Sequence, residues 1–314
     1  AKLVNSNQGD WGYVTIPIRS DDRDYLKWET FFRTCGQLHL IPIIRLATYP
    51  INHRWAAPTY LDILDFANFL DLMPWPTQNR YVILFNEPNH AKEWGGSINP
   101  ENYVQLAKYF HEIFKAKSPD FFLLTAGLDM SAPNSSDTLD AFTYYRRMFA
   151  EDKNWPSYFD GFSFHPYPNP AFSSSAFATN RYGIRSYEFE LRFLSKFGVR
   201  PKYLFFTETG TVKAANFYTS ALNLVWKDPR IVAITPFVLH AAAGDFTPFS
   251  LLDQNNSPTA NYREIFNLPK LAGRPILAFI SPPPPTPAVP TQNPTPDQTP
   301  VKPFFKSLIE YFVK

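Results

Sequence analysis

Tyr81-Val82-Ile83-Leu84-Phe85-Asn86-Glu87-Pro88-Asn89-His90 decides how the rest of the chain is read. Apolar and aromatic residues run from Tyr81 to Phe85 without a polar break, as in a strand buried on both faces. The run then stops at Asn, Glu, Pro, Asn and His. A carboxylate at the C-terminal end of a buried strand has no packing reason to be there. The same design returns far downstream in Tyr203-Leu204-Phe205-Phe206-Thr207-Glu208-Thr209-Gly210, a buried-type strand that again stops at a glutamate. Two such residues suggest a pair of carboxylates on one rim, the equipment that cleavage of a glycosidic bond needs.

Outward from these stretches the chain alternates. Buried-type strands are expected at 12–18, 41–48, 81–87, 121–128, 161–167, 203–210 and 231–240. Helical spacing is expected at 21–37, 58–72, 100–117, 138–149, 185–197 and 214–226; in the first, Tyr25, Trp28, Phe31, Phe32 and Cys35 recur three and four apart. Residues 1–7 read either as the last turn of a helix or as a clipped strand. Strand and helix in regular alternation imply βα units and a parallel sheet. No glycine-rich phosphate turn follows any strand, which argues against a doubly wound sheet. The expectation is therefore an α/β fold, a (β/α)8 TIM barrel. Seven strands are visible where a closed barrel wants eight. The deficit falls at the N-terminus, so strand one is expected to precede Ala1 and to leave an open gap between strands 12–18 and 231–240.

Composition narrows the function. With 30 Lys+Arg against 28 Asp+Glu in 314 residues, the chain offers no electrostatic reason to bind nucleic acid. Aromatics make up 17% of it, enough to supply both a core and flat platforms for sugar rings. The single cysteine, Cys35, lies in a helical pattern and reads as a small buried apolar residue. No apolar run reaches the length of a membrane span. Residues 1–275 are expected to form the barrel domain. Ten of the 31 prolines fall between Pro282 and Pro303, interleaved with Thr286, Thr291, Thr295 and Thr299, so 276–303 reads as an extended Pro/Thr-rich linker. Residues 304–314, with Phe304, Phe305, Leu308, Ile309 and Phe312 beside Lys306 and Glu310, form a short amphipathic segment, read either as a dangling helix or as an attachment to a cell surface or membrane.

Asn86-Glu87-Pro88, joined to Glu208 three strands later, resembles the Asn-Glu-Pro signature of the retaining glycoside hydrolases whose catalytic glutamates close strands four and seven of a (β/α)8 barrel. The likeness covers residues 12–240 as a pattern and is nearest to the family 39 and family 5 types. It implies that Glu87 is the acid/base, Glu208 the nucleophile and Asn86 the residue that holds the sugar 2-hydroxyl. It further implies a carbohydrate substrate, no cofactor, and a monomer acting outside the cell or at its surface.

Other strand ends are candidates for binding substrate. Arg45, inside Ile43-Ile44-Arg45-Leu46, is a charge in an apolar strand and needs a partner; it either holds Glu208 ionised or satisfies a core acid. His165 and Tyr167 resemble the strand-six residues that line the clan's cleft, although a structural histidine is an equal reading. His240 ends the last strand, where many clan members carry a tryptophan, and this departure leaves Phe246 or Trp94 to supply the platform. Tyr49 and Trp55 are further loop aromatics. A metal-dependent hydrolase could draw on His53, His90, His165 and His240, but such barrels commonly need a His-x-His pair on their first strand, and none is visible; no metal is expected. The rival of a different class is a non-catalytic carbohydrate-binding barrel.

Overall fold

The computed structural model describes residues 1–213 and 216–277. Of the linker expected at 276–303 only Ile276 and Leu277 are described, with Leu277 N–H donating to Asn79 Oδ1 at 2.9 Å; residues 278–303, the amphipathic segment 304–314 and the first two positions of the helix expected at 214–226 lie outside the described residues.

In chain order the elements are β1 (Gly12–Arg19), α1 (Tyr25–Gln37), β2 (Leu40–Ala47), a short hairpin of β3 (Pro50–Ile51) and β4 (Arg54–Trp55), α2 (Tyr60–Asp71), β5 (Arg80–Ile83), α3 (Pro100–Lys117), β6 (Phe121–Leu124), α4 (Ala141–Glu151), β7 (Phe162–Phe164), α5 (Ser186–Ser195), β8 (Leu204–Thr209), the one-turn α6 (Phe217–Ser220), β9 (Ile231–Pro236) and α7 (Ala260–Asn267). Helix starts are set by capping. Asp24 accepts from Lys27 N, so α1 begins at Tyr25 and not at the acidic run before it, and Thr59 and Asp62 form a capping box that delays α2.

Among the described residues seven strands run parallel. β1-β2-β5-β6 form one hydrogen-bonded run and β7-β8-β9 a second, joined through the parallel bridge Leu124–Gly161. Alternate residues divide between two cores. Ile41, Ile43, Tyr81, Ile83, Phe122, Leu124, Phe205 and Ala233 point inward and fill the space enclosed by the strands. Their neighbours Ile44, Val82, Leu123, Phe164 and Phe206 point outward to meet Phe32, Phe66, Phe110, Tyr144 and Tyr187 of the helices.

The count of seven agrees with the sequence, but the expected gap does not. Adjacent strands lie about 4.8 Å apart, so a vacant strand position would hold β1 and β9 about 10 Å apart. Their Cα atoms instead come within 8 Å, and Thr15 Oγ1 lies 2.8 Å from Thr235 Oγ1. Among the described residues no backbone hydrogen bond joins β1 to β9, so the two edges approach without the width of a missing strand between them but also without a shared ladder. Residues 1–7 form a single turn, closed by Asn5 N–H donating to Ala1 O, and dock on the end of α7 through Ser6 Oγ donating to Phe266 O at 2.7 Å.

Cys35 is buried and burial pushes its thiol up to about 11, as fits an inert packing residue. Among the described residues no helix is long and apolar enough to cross a membrane.

Candidate active site

β5 ends sooner than its apolar run suggests. Its ladder stops at Ile83, and Phe85 turns back with its N–H donating to Ile83 O at 3.0 Å. Phe85 and Glu87 then take φ of 62° and 30°, a left-handed backbone that costs of order 1–3 kcal/mol at each non-glycine position. Packing holds it there: Phe85 is buried, edge-on to Trp94 at 5.7 Å. The result swings Asn86 and Glu87 over the C-terminal end of the strands, where Glu208 also emerges at the end of β8.

A cavity of about 690 Å³ opens at that end. Its floor carries Glu87, Glu208, Asn86, Arg45 and Tyr167. One wall is the β3–β4 hairpin, presenting His53, Arg54 and Trp55; the opposite wall is aromatic, with Phe172, Phe246 and Phe249 stacked edge to face around Tyr167 and Phe237.

Arg45 reaches both glutamate-bearing segments. Its Nη1 donates to Asn86 Oδ1 at 2.8 Å and also to Glu208 Oε1. Tyr167 OH donates to Glu208 Oε2 at 3.2 Å. Beneath them His165 places Nδ1 2.9 Å from Glu87 Oε1 and 4.0 Å from Glu208 Oε2, with Nε2 3.2 Å from Thr207 Oγ1. The electrostatics follow from this arrangement. Burial alone would raise the Glu208 carboxyl, but the Arg45 and His165 charges and the Arg45 and Tyr167 hydrogen bonds outweigh it and hold Glu208 below the usual glutamate range. Burial would likewise lower His165, but the Glu208 charge and the Glu87 contact raise it, so the ring holds a second proton more tightly than a free imidazole does. Arg45 itself is raised, with Glu208 overcoming desolvation. The Tyr167 phenol is pushed well up, by burial first and then by the two glutamate charges.

Of the catalytic and main substrate-binding candidates from sequence, six therefore meet: Glu87, Glu208, Asn86, Arg45 and Tyr167 line the cavity, and His165 supports them from below, whereas Trp94 and His240 do not join them. Trp94 is 1% exposed, packs on Phe85 and Tyr103, and donates Nε1 to Asn102 Oδ1 at 3.0 Å; it is a core residue, because the turn that carries it folds inward. His240 is exposed, beyond the end of β9 at Pro236, and lies outside the cavity lining. Tyr49 is also exposed away from the lining, whereas Trp55 and Phe246 face the cavity.

Sequence reasoning missed three features. Glu93 brings a third carboxylate to the cavity and accepts from Asn86 Nδ2 at 3.5 Å. His90 and Asp129 form an ion pair at 3.0 Å on the same surface, and the buried Asn89 fixes that loop by donating to Asp129 O and Leu139 O. Gly127 makes room for His165: a Cβ there would lie 2.3 Å from the imidazole Cδ2. The Asn-His pair after Glu87-Pro88 was a signal for the second of these; nothing in the sequence marks Gly127.

Glu87, His165 and Glu208 offer three donor atoms within 4.8 Å of one another, a spacing that could hold a metal ion. The surroundings do not suit one. Both oxygens of Glu208 already accept from Arg45 and Tyr167, and the Arg45 guanidinium would repel a cation.

No protein-family model matches the chain, and no curated protein matches it in sequence. Solved structures do match. The GH39 enzyme from Xanthomonas axonopodis pv. citri superimposes with a TM-score of 0.55 at 11% identity over 82% of this chain and 65% of that one. A glucosidase from Croceicoccus marinus gives 0.62 at 10% identity, over 84% and 60%. A β-mannanase from Thermomonospora fusca gives 0.51 at 13% identity, over 82% and 80%. The chain thus spans under two thirds of the length of the first two. At these identities the likeness is one of fold, an α/β architecture of parallel strands ringed by helices.

Proposed function

We propose that the chain is a retaining glycoside hydrolase acting on an oligosaccharide or polysaccharide, with Glu208 as nucleophile and Glu87 as acid/base. The observation that carries this reading is the spacing of the two carboxylates. Their facing oxygens lie within 4.8 Å. Retaining enzymes hold them about 5–5.5 Å apart, and inverting enzymes leave 6.5–9.5 Å for a water between them. The carbohydrate-cleaving enzymes among the structural neighbours support the same class. The glutamates follow the third and sixth of seven parallel strands, the three-strand interval of the clan's strands four and seven. On that reading β1 plays the part of the clan's second strand, and its first has no counterpart among the described residues.

In the first half-reaction Glu208, held ionised by Arg45, attacks the anomeric carbon. The glycosidic C–O bond breaks, and its oxygen takes the proton of Glu87. A glycosyl ester on Glu208 results. In the second, the Glu87 carboxylate takes a proton from water, the water oxygen bonds to the anomeric carbon, and the ester is released with the configuration restored. In this reading Asn86 holds the 2-hydroxyl, Tyr167 guides Glu208, and Phe246 and Phe249 receive a sugar face. Action outside the cell, and a spacer role for the Pro/Thr-rich segment, belong to the same proposal.

The test is a panel of 4-nitrophenyl glycosides followed by the stereochemistry of the product. Glu208→Gln should abolish turnover, and Glu87→Ala with azide should yield a glycosyl azide of retained configuration. An inverted product would remove the double displacement, full activity in both variants would take Glu87 and Glu208 out of the chemistry, and a wild type that turns over no glycoside would leave a binding barrel as the better reading.

A further inference from the structure

Of the three glutamates that face the cavity, Glu93 has no part in the mechanism above, yet its position is tightly defined. It ends the 3-10 turn Ala91–Glu93, and the next residue, Trp94, is plugged into the core. The chain then passes under the hairpin, with Gly95 N–H donating to Trp55 O at 3.1 Å. Gly95 has φ +68°, and a Cβ there would lie 2.6 Å from Ala57 Cβ, so no larger residue could let the turn sit so close. The turn is closely packed; the carboxylate it presents is under-used. Among the described residues its side chain accepts one long hydrogen bond, from Asn86 Nδ2, although a carboxylate has room for about four. Burial first and the Glu87 charge second raise its pKa, outweighing the charges of Lys92 and Arg45, neither of which donates a hydrogen bond to it among the described residues. Such a group lacks donors, and in a sugar cleft the donors are hydroxyls.

Which hydroxyl follows from the order of groups across the cavity floor. Glu208 accepts from Arg45, Arg45 also donates to Asn86, and Asn86 donates to Glu93. If Glu208 faces the anomeric carbon and Asn86 the 2-hydroxyl, the row continues to the next ring position. We propose that Glu93 is a specificity-determining residue that accepts a hydrogen bond from the 3-hydroxyl of the bound glycone. This rests on the proposed function and extends it to a substrate class: glycosides with a free hydroxyl at C3. Glycones alkylated or substituted there would be rejected, because they leave a partly buried carboxylate without its donor.

The experiment compares kcat/KM on 4-nitrophenyl β-glucoside, β-xyloside and β-mannoside with their 2-deoxy and 3-deoxy analogues, for the wild type, Glu93→Gln and Glu93→Ala. In the wild type, loss of the 3-hydroxyl should cost about 10- to 100-fold, the scale of a hydrogen bond to a charged group. In Glu93→Ala the parent glycoside should fall to the level of its 3-deoxy analogue and the 3-deoxy analogue should hardly change, while the 2-deoxy penalty persists. Glu93→Gln, which keeps the shape and a weaker acceptor, should lie between. Melting temperatures of the three proteins identify any variant that is merely unfolded. If Glu93→Ala slows every substrate by one factor, or none, Glu93 is only structural and the inference falls alone. If the wild type cleaves none of the glycosides, the functional reading falls and takes this inference with it.

Discussion

The imidazole Nδ1 of His165 lies 2.9 Å from Oε1 of Glu87, a contact between residues 78 positions apart that puts a buried cation beneath the acid/base glutamate. His165 is raised above its ordinary pKa, so it stabilises the fold fully below about pH 6.5 and loses that contribution as pH rises through its folded value. The stability advantage of the wild type over His165→Gln should therefore shrink as pH rises above 6.5. Urea midpoints at intervals over that rise check it. An advantage constant with pH would mean that the ring is neutral throughout.

Arg45 should set the acid limb of activity. Glu208 must be ionised to attack, and its lowered pKa keeps it so below the usual glutamate range. Arg45→Met removes the largest lowering influence while burial still pushes upward, so the acid limb of kcat should move to higher pH and turnover should fall. A pH–rate profile of the variant that keeps the wild-type limb would separate Arg45 from Glu208.

Gly127→Ala tests how closely His165 is seated. The added Cβ would meet the imidazole at 2.3 Å, too close to survive without movement. Overpacking of this kind costs about 1–3 kcal/mol, and here the yielding group is the one that holds Glu87. We expect a lower melting temperature together with a drop in kcat larger than any change in KM. Calorimetry with steady-state kinetics decides it, and unchanged kcat would show that the ring can shift harmlessly.

Trp94 and Phe246 should behave oppositely. Truncating a buried tryptophan costs about 3–5 kcal/mol, so Trp94→Ala should lower stability steeply, and Trp94→Phe much less. Phe246 is 58% exposed on the cavity wall, so Phe246→Ala should leave the melting temperature within a degree or two and raise KM. A raised KM in Trp94→Phe at full stability would return that residue to the cleft.

Much of this was legible in the sequence. Seven strands and their order follow from the alternation of buried runs with amphipathic helices, because parallel strands covered on both faces must be continuously apolar. Glu87, Asn86 and Glu208 stood out as polar groups closing such runs. What stayed hidden depended on backbone direction and long-range seating. The apolar run to Phe85 gives no sign that the ladder stops at Ile83, because a left-handed turn packed on Trp94 is as apolar as a strand. Ala91-Lys92-Glu93-Trp94 reads as an exposed turn with an aromatic platform, but the tryptophan goes into the core and the glutamate into the cavity. The narrow approach of Thr15 to Thr235 joins residues 220 positions apart, which no local pattern records.

The two hydrogen-bonded runs of strands divide the catalytic equipment. Glu87, Asn86, Arg45 and Glu93 belong to the run from β1 to β6, and Glu208, His165 and Tyr167 to the run from β7 to β9. Each half lends the other half's glutamate its cation, Arg45 to Glu208 and His165 to Glu87. Along their edges the halves meet at two seams, the Leu124–Gly161 bridge with the hydrogen bonds around it and the hydroxyl contact of Thr15 with Thr235. The distance between the carboxylates is therefore a gauge of how the two half-sheets are seated. A slight rocking about those seams would detune the chemistry while every helix and strand stayed intact, so inactivation on warming could precede any loss of secondary structure.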